Sequence, residues 1–267
     1  MVKQFLRRAE FELSKQGDKF SPDTEDVMLV SYPKSGNTWI RALVAHLVRP
    51  QASLVDMERL VPDVYKSTGK VLRKAYRFPC GGRLIKSHQS FRPDYKRVVY
   101  ITRDPRAVCV SYYHYLRGVR GDRDIAEMSL DDFVLRFLSG DVDRYGTWAE
   151  NVGSWECAER ADMLHLCYEE MKSDPVANLR KICEFVGLNC NQESISSAVT
   201  ECSIENLRKK EEREGLKWAA REDRELAALF FRNGSSSSWA ELSPFALEQI
   251  YKKWGSQMLK RGYRIES

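Results

Sequence analysis

One junction constrains this chain more than any other stretch. Val27-Met28-Leu29-Val30-Ser31 is a short unbroken apolar run. It passes through the turn-forming Tyr32-Pro33-Lys34-Ser35-Gly36 into a helical pattern from about Asn37 to Val48, which ends before Pro50. An apolar run without alternation suits a strand buried on both faces, as in a parallel sheet. The rest of the chain repeats the unit. Arg83–Ser87, Arg97–Thr102 and Met163–Tyr168 read as further strands. Asp104-Pro105 opens a helix to about Leu116, and Asp174-Pro175 opens another to about Gly187. Asp suits the N-cap and Pro the first helical position. Strands alternating with helices predict an α/β fold, a single domain with a central parallel sheet flanked by helices. In such sheets ligands sit beyond the carboxyl ends of the strands, so the loops after Ser31, Ser87, Thr102 and Tyr168 matter most.

The remaining segments are less patterned. Residues 1–24 read as an amphipathic helical extension that turns at Ser21-Pro22-Asp23, with the folded domain over 25–267. Residues 50–82 are irregular and break at Cys80-Gly81-Gly82. Residues 203–215 are highly charged, a solvated helix or a mobile loop. Residues 234–238 (GSSSS) read as a flexible loop. Residues 243–260 form a last amphipathic helix, with Pro244 near its start.

Composition removes other classes. Of 267 residues 43% are hydrophobic, enough for a core, and no apolar run approaches a membrane span or a signal-peptide core. The 43 Lys and Arg exceed the 38 Asp and Glu by 5, but they are spread along the chain. Nucleic acid is therefore not the expected partner, whereas an anionic small ligand is. The seven cysteines (80, 109, 157, 167, 183, 190 and 202) are odd in number and lack CxxC spacing. They read as reduced thiols, mostly buried, in a cytoplasmic protein.

Three loops carry candidate chemistry. PKSGNTW, between a strand and a helix, gathers main-chain N–H groups at a helix N-terminus, a ready anion site. Lys34 adds a charge to it, while Ser35, Asn37 and Thr38 add hydrogen-bond donors. The lysine precedes the glycine, opposite to the order in GxxxxGK[ST], which disfavours an ordinary nucleoside triphosphatase. Lys86-Ser87-His88 ends another strand, where an imidazole can take a proton from a substrate hydroxyl. His46, His114 and His165 lie within helices or a strand and read as structural. Arg103, at the end of RVVYIT, and Ser111, two turns into the next helix, suit a phosphate. A helix-capping Asp104 paired with a structural Arg103 is an equally good local reading.

YPKSGNTW, IKSH and RVVYITRDPRAVCVSYYHY, in this order and spacing, resemble the cytosolic-type sulfotransferase family. DRYGTWAENVGSW, LCYEEMKSDP with LRKICEFVG, and FFRNG agree with it, so the resemblance covers about residues 25–260. It implies a P-loop-kinase-like architecture, with 25–267 as the sulfotransferase domain. It also implies transfer of a sulfuryl group from 3′-phosphoadenosine 5′-phosphosulfate (PAPS) to an acceptor hydroxyl or amine, with 3′-phosphoadenosine 5′-phosphate (PAP) as product. By the same resemblance Lys34 would contact the bridging oxygen and 5′-phosphate, with Ser35, Gly36, Asn37, Thr38 and Trp39 around it and Trp39 also against the adenine. Lys86 would assist the transferring group and His88 would be the general base. Arg103, Ser111 and Arg232 would hold the 3′-phosphate, and Tyr168, Cys202 and Phe230 would line the adenine pocket. Asn233 and Gly234 complete the donor-binding loop.

The chemistry agrees. In-line transfer between two oxygens needs positioning, charge stabilisation at the leaving phosphate, and a base at the nucleophile. No metal is expected, because a sulfuryl group carries less charge than a phosphoryl group and no acidic pair is placed for Mg²⁺. The chain departs from the family pattern at Asn233, Ser237 and Ala240, which stand for Lys, Gly and Lys, and at Asn37, which stands for Thr. The family's C-terminal dimerisation motif is not recognisable. Two alternatives remain: a related kinase, requiring ATP, Mg²⁺ and a lysine after the glycine, and a silent nucleotide-binding protein that has lost its base. The acceptor is expected to be a small molecule. Tyr76, Phe78, Phe91, Tyr112 and Tyr145 suit an apolar or aromatic alcohol or phenol, or equally the core, and the Arg117–Arg123 segment suits an anionic acceptor.

Overall fold

Four strands lie side by side in the order β2-β1-β3-β4, every neighbouring pair parallel: β1 (Val27–Ser31), β2 (Leu84–Ser87), β3 (Arg97–Thr102) and β4 (Met163–Cys167). The computed structural model describes residues 19–156, 162–214, 229–232, 234 and 237–265. The readings of residues 1–18, Cys157, Asn233, Ser235 and Ser236 fall outside the described residues. The register sets Val30 beside Ser87 and Ser31 beside Ile101, and pairs Thr102 with Cys167, so the carboxyl ends of all four strands share one edge. β2 begins at Leu84 rather than Arg83, whose side chain is instead ion-paired with Asp26.

The helices are α1 (Asn37–Val48), α2 (Leu54–Leu60), α3 (Gly69–Arg73), α4 (Pro105–His114), α5 (Arg123–Ala126), α6 (Leu130–Ser139), α7 (Trp148–Glu156), α8 (Tyr168–Ser173), α9 (Pro175–Val186), α10 (Gln192–Glu201), α11 (Ile204–Glu214) and α12 (Pro244–Lys260). The irregular 50–82 stretch contains two short helices, capped by the side chains of Ser53 and Thr68. Between them Pro62–Val64 runs beside β2, with Lys86 donating to the Pro62 carbonyl at 2.8 Å and Val64 donating to the Lys86 carbonyl at 3.0 Å. The helix after Asp104 leaves α geometry at His114 and continues as a π turn over Tyr115–Val119. Such turns re-aim side chains next to sites.

Alternation along β1 divides the core. Val27 and Leu29 face the cluster holding Ile40, Leu43, Leu179 and Ile195 of α1, α9 and α10. Met28 and Val30 face Ile85, Val98, Tyr100 and Trp155. All four β1 side chains are fully buried, each stabilising the fold by about 1.5–3 kcal/mol. A third cluster joins α4, α6 and α12 around Phe133, Phe137, Trp148 and Trp254.

Candidate active site

A cavity of about 900 Å³ opens at the carboxyl edge of the sheet. Its first wall is the loop from β1 into α1. Lys34 and Gly36 both have left-handed backbone, with φ of 68° and 98°. A residue other than glycine holds that conformation only where its surroundings impose it. At Gly36 a Cβ would lie 2.5 Å from the Tyr168 ring, so nothing larger fits. Ser53, Asp104, Asp174 and Ser243 cap their helices with side chains, but α1 starts at Gly36 without a side-chain cap. The Ser35 hydroxyl beside it is buried with no hydrogen-bond partner among the described residues. An uncapped first turn with an unsatisfied hydroxyl suits an anion.

Lys34 projects its ammonium over two rings, Tyr115 at 4.1 Å and Phe230 at 4.0 Å. Burial holds its pKa well below the usual lysine range, reinforced by Lys66, Arg103 and Lys86. Several cations gathered around one cavity raise its affinity for an anion. Arg103 donates to the Lys34 carbonyl at 2.9 Å and lies 4.2 Å from the Tyr168 ring centre. Its expected alternative, pairing with Asp104, does not occur. Asp104 instead holds Arg106, and its side chain caps α4. Ser111, on α4, also faces the cavity.

His88 lines the same cavity. Its Nδ1 is 2.7 Å from the Ser31 carbonyl oxygen, which can only accept, so Nδ1 carries the hydrogen and Nε2 keeps a lone pair. Burial pushes its pKa well below 6.5, and Lys86 pushes it further, so the ring is neutral at pH 7. α7 holds the His88 loop in place. Asn151 donates to the His88 carbonyl at 3.0 Å, and the Trp155 indole donates to the Gln89 carbonyl at 3.0 Å. Lys86 is buried, its ammonium 2.6 Å from Asp63. Burial alone would raise the Asp63 pKa, but Lys86 and neighbouring cations overcome it and hold the carboxylate well below its usual range.

The remaining donor-side candidates converge unevenly. The Trp39 indole meets Tyr168 edge-on, with centroids 6.0 Å apart, and donates to the Cys202 carbonyl at 3.0 Å. Cys202 therefore supports the wall through its main chain, because its thiol is buried in the core. Asn37 also turns inward, donating to the Leu29 carbonyl at 3.0 Å. Thr38 lines the cavity. Tyr168 donates to the Gly234 carbonyl at 3.0 Å, tying the C-terminal loop to this wall. Arg232 lines the cavity but is paired with Glu241 at 2.7 Å, and Glu241 also meets His114 at 2.6 Å. Of the aromatics expected around an acceptor, Tyr112 and Tyr145 line the cavity. Phe78 is core, Tyr76 packs on it, and Phe91 packs on Trp155.

Sequence reasoning missed Asp63, Tyr115, Glu211 and Glu241. Glu211 accepts from the main-chain N–H groups of Phe230 and Phe231 at 2.8 and 3.0 Å, holding Phe230 under Lys34. Its four-residue spacing from the buried Leu207 on an otherwise charged helix was the available signal. Of the histidines read as structural, His165 pairs with Thr102 at 2.9 Å and stacks on Tyr100.

Residues 24–261 match the family model described as the sulfotransferase domain. Bovine sulfotransferase 1A1 is 30% identical over 210 residues, 72% of this chain and 69% of that protein. Mouse sulfotransferase 2A6 is 28% identical over 251 residues, 88% of this chain and 85% of that protein. A crystal structure of mouse sulfotransferase SULT7A1 complexed with PAP superposes with a TM-score of 0.69 at 26% identity, covering 92% of this chain and 89% of the other. Retinol dehydratase, in complex with androsterone and PAP, shares the fold at 18% identity and a TM-score of 0.70. An uncapped strand–loop–helix and a neutral imidazole lining one cavity, together with a family match over nearly the whole chain, lead to one assignment: the chain belongs to the cytosolic-type sulfotransferase family and is a PAPS-dependent sulfotransferase.

Proposed function

We propose that His88 is the general base for a hydroxyl (or amine) acceptor and that Lys34 stabilises the leaving 5′-phosphate of PAPS. As the acceptor oxygen bonds to sulfur, its proton passes to His88 Nε2 while the sulfur–oxygen bond to the 5′-phosphate breaks and PAP leaves. Lys34 and the first-turn amides of α1 stabilise the charge arriving on that phosphate. Ser35, Gly36, Asn37, Thr38 and Trp39 shape the loop, and Arg103, Ser111 and Arg232 take the 3′-phosphate. Trp39, Tyr168 and Phe230 take the adenine, with Cys202 behind them and Asn233 and Gly234 completing the loop. Lys86 acts on the transferring group from its pair with Asp63. The acceptor is a small molecule bearing an alcohol or phenol, the site of action is the cytoplasm, and residues 1–24 are an extension to the catalytic domain.

The observation that carries this reading is the tautomer of His88: a neutral ring with its lone pair turned away from Ser31, lining the same cavity as Lys34. The test combines thermal-shift binding of PAP and of ATP with sulfuryl transfer from PAPS to a panel of phenols. Stabilisation by PAP and turnover of at least one phenol are expected. A stronger shift with ATP, or PAP binding without turnover of any acceptor, would overturn the assignment.

A further inference from the structure

α11 is built mostly from charged residues, yet Glu211 on it is buried, 1% exposed, one turn on from the apolar Leu207. A buried carboxylate needs compensation. Its two oxygens accept from consecutive main-chain N–H groups, that of Phe230 at 2.8 Å and that of Phe231 at 3.0 Å. Phe230 and Phe231 line the cavity, and Glu211 does not. The Phe230 ring centre lies 4.0 Å from the Lys34 ammonium, and the ring meets Tyr115 edge-on at 5.8 Å. The helix itself is anchored at the start of α2. Lys210 donates to the Ala52 carbonyl at 2.8 Å, and Glu214 accepts from the Leu54 N–H at 2.8 Å. Glu211 therefore holds the two phenylalanines from a fixed base.

Charge makes Glu211 more than a tie between a helix and a loop. The N–H groups of Phe230 and Phe231 are neutral, and neutral acceptors would satisfy them without burying an ion. The charge has a further recipient in Lys34. Burial holds the Lys34 pKa down, with Lys66, Arg103 and Lys86 acting in the same direction, and the Glu211 carboxylate pulls it upward. Besides these charges, the rings of Tyr115 and Phe230 face the ammonium.

We propose that Glu211 is a positioning residue for the donor: from behind the cavity wall it fixes Phe230 and supplies a countercharge to Lys34, and so sets the affinity for PAPS and PAP. The proposal rests on the reading of Lys34 and Phe230 as donor ligands, and deepens it.

The test measures PAP binding to the full chain by calorimetry across a range of pH. Glu211→Gln removes the charge and leaves one acceptor for two N–H groups. It is expected to weaken PAP binding by about tenfold, as an unsatisfied buried N–H does. The fall of PAP affinity with rising pH should also move to lower pH, since Lys34 gives up its proton more readily without the carboxylate. Phe230→Leu removes the ring and leaves the main chain. It should weaken PAP binding by itself, and the double variant should lose less than the two single losses multiplied, because both act through one ring. The melting temperature of the PAP-free chain reports folding. Glu211→Asp, which withdraws the carboxylate by one methylene, replaces a Gln variant that does not fold and is read by affinity and by the double variant. Unchanged or tighter PAP binding, a pH profile unmoved by Glu211→Gln, or fully multiplicative losses overturn the role of Glu211. Phe230→Leu without effect, or no PAP binding by the unaltered chain, overturns the underlying donor reading instead.

Discussion

The two halves of the cavity are built in different ways. The half we assign to the donor is mostly main chain: the left-handed turn at Lys34 and Gly36, the uncapped start of α1, and rings packed around them. The acceptor half is mostly side chain, drawn from α2, the 62–66 segment, the π turn after α4 and the loop before α7. A backbone cradle recognises a fixed anion and tolerates few substitutions. A side-chain wall can change its ligand through single substitutions, so it carries the specificity.

His88 sits at the border, and its loss should separate the halves most clearly. We expect His88→Ala to lower kcat by about 10²–10⁴-fold while the PAP thermal shift stays as it was. Equal loss of both would make His88 a structural part of the donor half. Arg103→Ala should weaken PAP binding by about 10–100-fold relative to its effect on adenosine 5′-phosphate, which lacks the 3′-phosphate. Equal weakening of the two nucleotides in calorimetry would make Arg103 a support for the Lys34 turn alone.

Charge on the cradle gives a pH signature. Bound phosphates favour the ammonium form of Lys34, so its pKa is higher in the complex than in the free enzyme, where burial depresses it. Binding then takes up a proton between those two values, and PAP affinity should fall as pH rises through that window. Lys34→Arg, charged throughout, should flatten this dependence, and a profile unchanged by the substitution would remove Lys34 from the phosphate. The smallest effect concerns Glu241. It holds Arg232 in a partly exposed pair, so Glu241→Gln should tighten PAP binding by about two- to fivefold by releasing that guanidinium. Weaker binding would mean that Glu241 orients Arg232 for the phosphate.

The donor half was legible in the chain because its information is local. PKSGNTW specifies a turn, a helix start and a charge within a few residues, and Arg103 and Ser111 follow one strand directly. Asp104 showed the limit of this. Its cap of α4 was expected, but its partner was Arg106, since the cap brings the last residue of RDPR back onto it while Arg103 reaches across to Lys34. The acceptor rings were separated less well. Tyr112 and Tyr145 reach the cavity, whereas Tyr76, Phe78 and Phe91 do not, because the direction of a loop side chain depends on packing that no local pattern encodes.

Sequence alone determined the alternation of strands and helices, the parallel sheet and the strand–loop–helix at Lys34, because these follow from periodicity, caps and short-range turn chemistry. Tertiary structure decided that Lys86 is committed to Asp63, that Glu211 props Phe230 beneath Lys34, that Cys202 serves through its carbonyl, and that Arg144 lies over Tyr65. Those contacts join residues far apart in the chain. Their partners are chosen by the register of the sheet and the cost of burying charge without a mate.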